Sequence, residues 1–126
     1  MTAFSGNLYM RKLPLSGGTA NGRRIKVAAT ATPGTLIHTG PTDTSLIDEV
    51  WIDAVNTGTV PVDVTVEYGG TTAPDDTMTI TIQPKASAVL VVPGNVLAGA
   101  ATPLVVRAYA ATANAITLGG YVHRMQ

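Results

Sequence analysis

The sequence predicts an all-β fold: an antiparallel β-sandwich or barrel of about eight short strands, jelly-roll-like or immunoglobulin-like in layout. Three observations predict it. Apolar residues recur with a period of two, most strictly at Val60, Val62, Val64, Val66 and Tyr68, which alternate with Pro61, Asp63, Thr65 and Glu67. Gly, Pro, Asn and Asp interrupt such runs roughly every 8–12 residues. No stretch places its apolar residues at the 3.6-residue spacing of an amphipathic helix.

Residues 1–24 read differently from the rest. They hold Ser16-Gly17-Gly18 and Asn21-Gly22 and show little periodicity, although Leu8, Met10 and Lys12 suit one side of a short strand. They are expected to form an extended N-terminal arm, ordered on contact with a partner, with the sandwich domain spanning 25–126. Fully extended, the arm reaches about 80 Å at ~3.3 Å per residue.

Strand signals begin at Ile25, Val27 and Ala29, and Thr32-Pro33-Gly34 then punctuates. TLIHT (35–39) reads as a short strand, closed by the turn Gly40-Pro41-Thr42-Asp43. In SLIDEVWIDAVN (45–56), Val50, Ile52 and Ala54 alternate with Trp51, Asp53 and Val55. The short loop Asn56–Thr59 then predicts a hairpin joining this strand to the one that starts at Val60. Gly69-Gly70 ends that second strand and TTAPDD (71–76) makes a loop. Met78, Ile80 and Ile82 alternate with threonines. SAVLVV (87–92) is a nearly continuous apolar run, expected to end at Pro93-Gly94-Asn95. Leu104, Val106 and Ala108 mark another strand. The last one, 115–124, carries Gly119-Gly120, which predicts a bulge or bend.

At 126 residues the chain is the size of one domain. Only 13% of it is charged, against about 25% in an ordinary soluble domain. A surface so poor in charge is expected to be covered in an assembly. There is no cysteine, hence neither disulfide nor thiolate metal site. The first residues show no signal-peptide layout, and apolar runs such as AVLVVPG (88–94) fall far short of the ~20 residues that span a bilayer. The expectation is synthesis in a cytoplasm and no membrane partner.

Net charge is zero but unevenly placed. Residues 1–42 carry +5, from Arg11, Lys12, Arg23, Arg24 and Lys26, and residues 43–126 carry −5. These five cations are the candidate partner-binding residues, either as a solvated tail or as an arm drawn to an acidic protein surface. Nucleic acid is not expected, because phosphate binding recruits dense basic clusters and a basic overall balance.

Candidate chemistry is sparse, and no catalytic residue, cofactor or metal is expected. His38 and His123 each lie alone in a strand, whereas metal sites need three or four converging ligands. Asp48, Glu49 and Asp53 surround Trp51, and Asp75-Asp76 follow Pro74, where turn chemistry accounts for them as well as calcium does. Ser5, Ser16, Ser45 and Ser87 lack a nucleophile-elbow context. P-loop and dinucleotide-binding motifs are absent. Trp51, Tyr68, Tyr109 and Tyr121 are dispersed along the sequence rather than grouped as a sugar platform.

Residues 36–125 carry LIHTGPTDTSLIDEVWIDAVNTGTVPVDVTVEYGGTTAPDD, then AVLVVPG, then LVVRAYAATANAITLGGYVHR. In texture and phrase order this resembles the small all-β virion proteins encoded among the head genes of tailed bacteriophages and related gene-transfer particles. The resemblance implies a non-enzymatic structural protein, a capsid decoration (cement) protein on the phage-head exterior. It also implies a homotrimer, with the major capsid protein as partner and terminal arms laid over neighbouring subunits. A neck, tail or head-fibre component, or a carbohydrate-binding module, is the alternative.

Overall fold

The computed structural model describes residues 10–18 and 21–126; Ser5, Leu8 and the rest of the expected arm's 1–9 and 19–20 lie outside the described residues. The fold is the expected all-β sandwich. Its strands are β1 (Met10–Pro14), β2 (Ile25–Lys26), β3 (Thr35–Thr39), β4 (Ile47–Asn56), β5 (Val62–Tyr68), β6 (Thr77–Ile82), β7 (Val89–Ala98), β8 (Val105–Ala110) and β9 (Ile116–Met125). The first sheet runs β1-β9-β4-β7, with β2 following β1 along the same edge of β9; the second runs β3-β8-β5-β6. Every pairing between strands is antiparallel. From β2 onward, every connection except the β5–β6 hairpin crosses from one sheet to the other. That strand order is the jelly roll, one of the two layouts the sequence allows.

The core lies between the two sheets and is built from small β-branched residues. Ile37, Val50, Ile52, Val64, Val106, Ile116, Leu118 and Val122 are fully buried, and the half-buried Tyr68 ring packs against them. The period-two reading of β5 holds on its inner side, where Val62, Val64 and Val66 are buried. Val60 precedes the strand and stays exposed.

Three local expectations are corrected. First, β4 and β5 do not form a hairpin. Both edges of β4 are taken, by β7 and β9, so the chain leaves the sheet after Asn56 and crosses to the second one. The Asn56 side chain organises that crossing: Nδ2 donates to the carbonyls of Val60 (2.7 Å) and Ile82 (2.9 Å), and Oδ1 accepts from Gly58 N–H (2.8 Å). Second, Pro93-Gly94-Asn95 does not end a strand. β7 runs through it, with the register against β4 slipping between Val50 and Trp51. An edge strand tolerates a proline, whose missing N–H belongs to no ladder there. Gly94 adopts φ 76°, and a Cβ would stand 2.7 Å from the Trp51 ring.

Third, Gly119-Gly120 makes no bulge. β9 pairs with β4 without a register slip from Ile47↔Met125 to Asn56↔Ile116. The two glycines lie where the opposite edge of β9 changes partner, between Leu118, which faces β2, and Tyr121, which faces β1. Gly120 has φ 147°, and a Cβ there would lie 1.9 Å from the Trp51 carbonyl oxygen.

The sandwich also starts before residue 25. Met10–Pro14 pair with β9 from Met125 to Tyr121, and Leu15 is buried in the core. Gly17 N–H then donates to the Ile37 carbonyl at 2.8 Å, carrying the chain across to the second sheet. The short periodicity at Met10 and Lys12 is therefore an edge strand closed over its own domain. Leu15→Ala is expected to lower the unfolding free energy by about 2–4 kcal/mol, read from the urea midpoint at unchanged m-value.

Candidate functional site

The two outer faces of the sandwich are chemically unlike. On the first sheet, cross-strand rows can be read directly from the register. They are Met10–Met125–Ile47–Ala98, Lys12–His123–Glu49–Val96, Pro14–Tyr121–Trp51–Pro93 and Gly119–Asp53–Leu90. Met10, Val96 and Leu90 are 67%, 56% and 51% exposed. The charges on this face are matched locally. Glu49 accepts from Trp51 Nε1–H at 2.8 Å and lies 3.0 Å from His123 Nδ1, which holds its carboxyl below the usual carboxylate range. Arg24 Nη1 reaches Asp53 at 2.6 Å, and its Nε and Nη2 donate to Thr117. Lys12 Nζ lies 4.3 Å from the Tyr121 ring centroid, a cation–π contact. Two of the four aromatics among the described residues meet on this face: the Trp51 and Tyr121 rings stack at 6.4 Å and 20°, with His123 beyond at 5.2 Å, while Tyr68 and Tyr109 lie on the second sheet.

The second sheet's outer face is polar. Thr65 and Thr79 share a hydroxyl hydrogen bond at 2.8 Å, and Thr81 donates to Asp63. Glu67, which period two alone would leave wet, is 1% exposed. The segment before β3 folds over it. Gly34 N–H donates to Glu67 Oε1 at 2.7 Å, Thr32 donates its hydroxyl to Oε2, and Arg107 donates to the Gly34 carbonyl. A buried polar side chain needs such hydrogen-bond partners.

A buried polar chain ties the sheets together at one end. Asp48 faces inward from β4, away from Glu49 and Asp53, because neighbouring residues of a strand take opposite faces. Its Oδ2 lies 2.7 Å from His38 Nε2, and Arg124 grips it with Nε at 2.7 Å and Nη2 at 2.9 Å. On the far side of the ring, Ser16 N–H donates to His38 Nδ1 at 3.2 Å, the Ser16 hydroxyl lies 3.1 Å from the same nitrogen, and Thr39 N–H donates to Ser16 Oγ at 2.8 Å. The Ser16 amide can only donate, so Nδ1 bears the lone pair and Nε2 carries the proton towards Asp48. Burial lowers the His38 pKa, more than Asp48 restores it. Burial also pushes Asp48 upward, but Arg124 and His38 outweigh it and hold Asp48 below its ordinary value. The chain is thus hydroxyl, neutral imidazole, carboxylate and guanidinium. Sequence reading treated His38, Asp48 and Ser16 separately. They are 10 to 32 positions apart and form no motif.

The expected partner-binding cations fall into two groups. Arg11 and Lys12 lie on β1, Arg24 is paired with Asp53, and Arg23 and Lys26 are exposed. Arg23, Arg24 and Lys26 line a cleft of about 520 Å³ whose other side is Thr35 and Leu36. The carboxylate clusters separate as well: Asp76 accepts from Thr72 N–H at 3.0 Å within its own loop. Among the described residues, no three or more His, Asp and Glu side chains gather as a metal site would require.

No protein-family model, no curated protein and no solved structure matches the chain.

Proposed function

We propose that this chain is a structural protein of a particle surface, a capsid decoration protein on the exterior of a tailed-phage head. The observation that carries the reading is the difference between the two outer faces. The first sheet presents Met10, Ile47, Leu90, Val96, Trp51 and Tyr121 on one open face, while the second covers its own polar groups. A face that exposes several large apolar side chains among charges already paired with one another, on a chain so poor in charge, is the mark of a contact surface. Three ten-residue strands and the five-residue β1, spaced ~4.8 Å apart, present roughly 550 Å². That is the order of one side of a standard interface, about 800 Å². Because the face neutralises its own charges, it suits an apolar partner: another copy in a homotrimer, or the major capsid protein. The exposed cations Arg23 and Lys26 supply steering towards acidic capsid patches. Each contact need contribute little, since an ordered array multiplies it. The resemblance of residues 36–125 to virion head proteins supports the same reading.

The paired variant Leu90→Glu/Val96→Glu tests this. Both side chains point to solvent in the free chain, so the melting temperature is expected to stay within a few degrees. Attachment to particles and self-association should fall at least tenfold. Unchanged attachment would remove this face from the contact. Copy number settles the location: a shell protein is present in hundreds per particle by quantitative gel, a neck ring in about a dozen.

The stacked Trp51–Tyr121 pair favours one second reading, a carbohydrate-binding module, since flat aromatic surfaces also accept sugar rings. A glycan array with no binding disposes of it.

A further inference from the structure

Ser16, His38 and Asp48 tie the sheets together, and the outer end of that chain is an exposed hydroxyl. We infer that Ser16 is a nucleophile, activated by His38 and Asp48, in a site that hydrolyses small esters with a short apolar acyl group. The inference stands apart from the particle-surface reading and does not rest on it.

The geometry is that of an activated hydroxyl: a nucleophile within hydrogen-bond reach of a base, and the base oriented by a third group. Thr39 N–H donates to Ser16 Oγ at 2.8 Å, and the hydroxyl proton points at the His38 Nδ1 lone pair, 3.1 Å away, which the Ser16 amide shares at 3.2 Å. Asp48 fixes the tautomer from behind at 2.7 Å and is itself held by Arg124. His38 and Asp48 are buried, whereas Ser16 is exposed, so the base is shielded and the nucleophile can be reached. Ser16 opens on a cavity of about 320 Å³. Leu13, Pro14 and Leu15 give it an apolar wall for an acyl group, while Asn21 and Arg124, the latter with its guanidinium on Asp48, line the rest of it.

The steps balance. Ser16 Oγ bonds to the ester carbonyl carbon as its proton passes to His38 Nδ1. The tetrahedral adduct collapses, the bond to the leaving alkoxide breaks, and that oxygen takes the proton from Nδ1. Water then attacks the acyl-Ser16 carbonyl and gives a proton to Nδ1. The bond to Ser16 Oγ breaks and the serine recovers the proton. The net change is ester plus water to acid plus alcohol. Asp48 stays ionised throughout and stabilises the transient imidazolium.

Two experiments on the full chain test this. A fluorophosphonate probe is expected to form a covalent adduct that mass spectrometry maps to Ser16. The adduct should be absent in Ser16→Ala and at least 100-fold slower in His38→Gln. No adduct, an adduct elsewhere, or equal labelling of His38→Gln overturns the inference and leaves Ser16 a tether. Because His38→Gln can fail to fold, a second readout uses the natural lack of cysteine. Ser16→Cys carries the only thiol, and its alkylation by iodoacetamide is expected to titrate with a midpoint at least one pH unit below the ~8.5 of a free thiol. A midpoint at the free-thiol value shows that His38 does not act as a base towards position 16.

Discussion

Val64→Asp is expected to abolish cooperative folding or to cost more than about 4 kcal/mol, the range of an unpaired charge forced into a core. Val64 is completely buried between the sheets, and its cross-strand neighbours are Ile80 and Ala110. The matched control is Val60→Asp. Val60 has the same side chain and belongs to the same alternating run, yet it is 58% exposed. Its substitution should change stability by less than about 0.5 kcal/mol. Equilibrium urea unfolding of the two variants checks the pair. Equal effects would mean that the inner face of β5 is not where the stability of the sandwich resides.

Acid sensitivity is the second large effect, and it comes from the chain Ser16–His38–Asp48–Arg124. His38 has its folded pKa lowered by burial, so folding favours the neutral ring. Its contribution is fully present above about pH 6.5, the unfolded value. It is lost progressively as pH falls from there towards the lower folded pKa, because the unfolded chain takes up the proton first. Asp48 is also lowered, despite its burial, because Arg124 and His38 stabilise the carboxylate. Its contribution is present above its ordinary value near pH 4 and is lost below it. Melting temperature should therefore be flat at neutral pH, decline from about pH 6.5, and decline further below about pH 4. Asp48→Ala removes the centre of the chain and leaves the Arg124 guanidinium without its bidentate partner. Breaking a buried ion pair from one side costs about 3–5 kcal/mol. The variant should also lose the step below pH 4. A wild-type melting curve that does not move between pH 7 and 5 would show that His38 is not held neutral by burial.

Much of the fold was legible from local pattern. The alternation Val62–Val64–Val66 announced a strand with one buried face, because successive side chains of a strand must point to opposite sides. The turn residues around Gly40-Pro41 and Gly69-Gly70 marked true strand ends. Reading failed where a residue's role depends on which strand lies alongside. Asn56–Thr59 looked like a hairpin loop, but β7 and β9 already occupy both edges of β4. Pro93-Gly94 looked like a terminus, but an edge strand can carry a proline and bulge past it. Glu67 looked wet until the Thr32–Gly34 segment folded over it.

The same limit governs the candidate sites. Trp51 and Tyr121 are 70 positions apart and meet only because β4 and β9 are neighbours in one sheet. Lys12 and Arg24 were legible as cations, but their engagement by Tyr121 and Asp53 was not.

The sequence by itself determined that this chain is a β-sandwich with a valine- and isoleucine-lined interior and an unusually uncharged exterior. Those properties follow from residue type and a period of two, both local. Only the tertiary structure decided the jelly-roll strand order, the open apolar face of the first sheet and the alignment of Ser16, His38 and Asp48. Each depends on which strands become neighbours, and neighbours are chosen by long-range pairing that no short stretch of chain encodes.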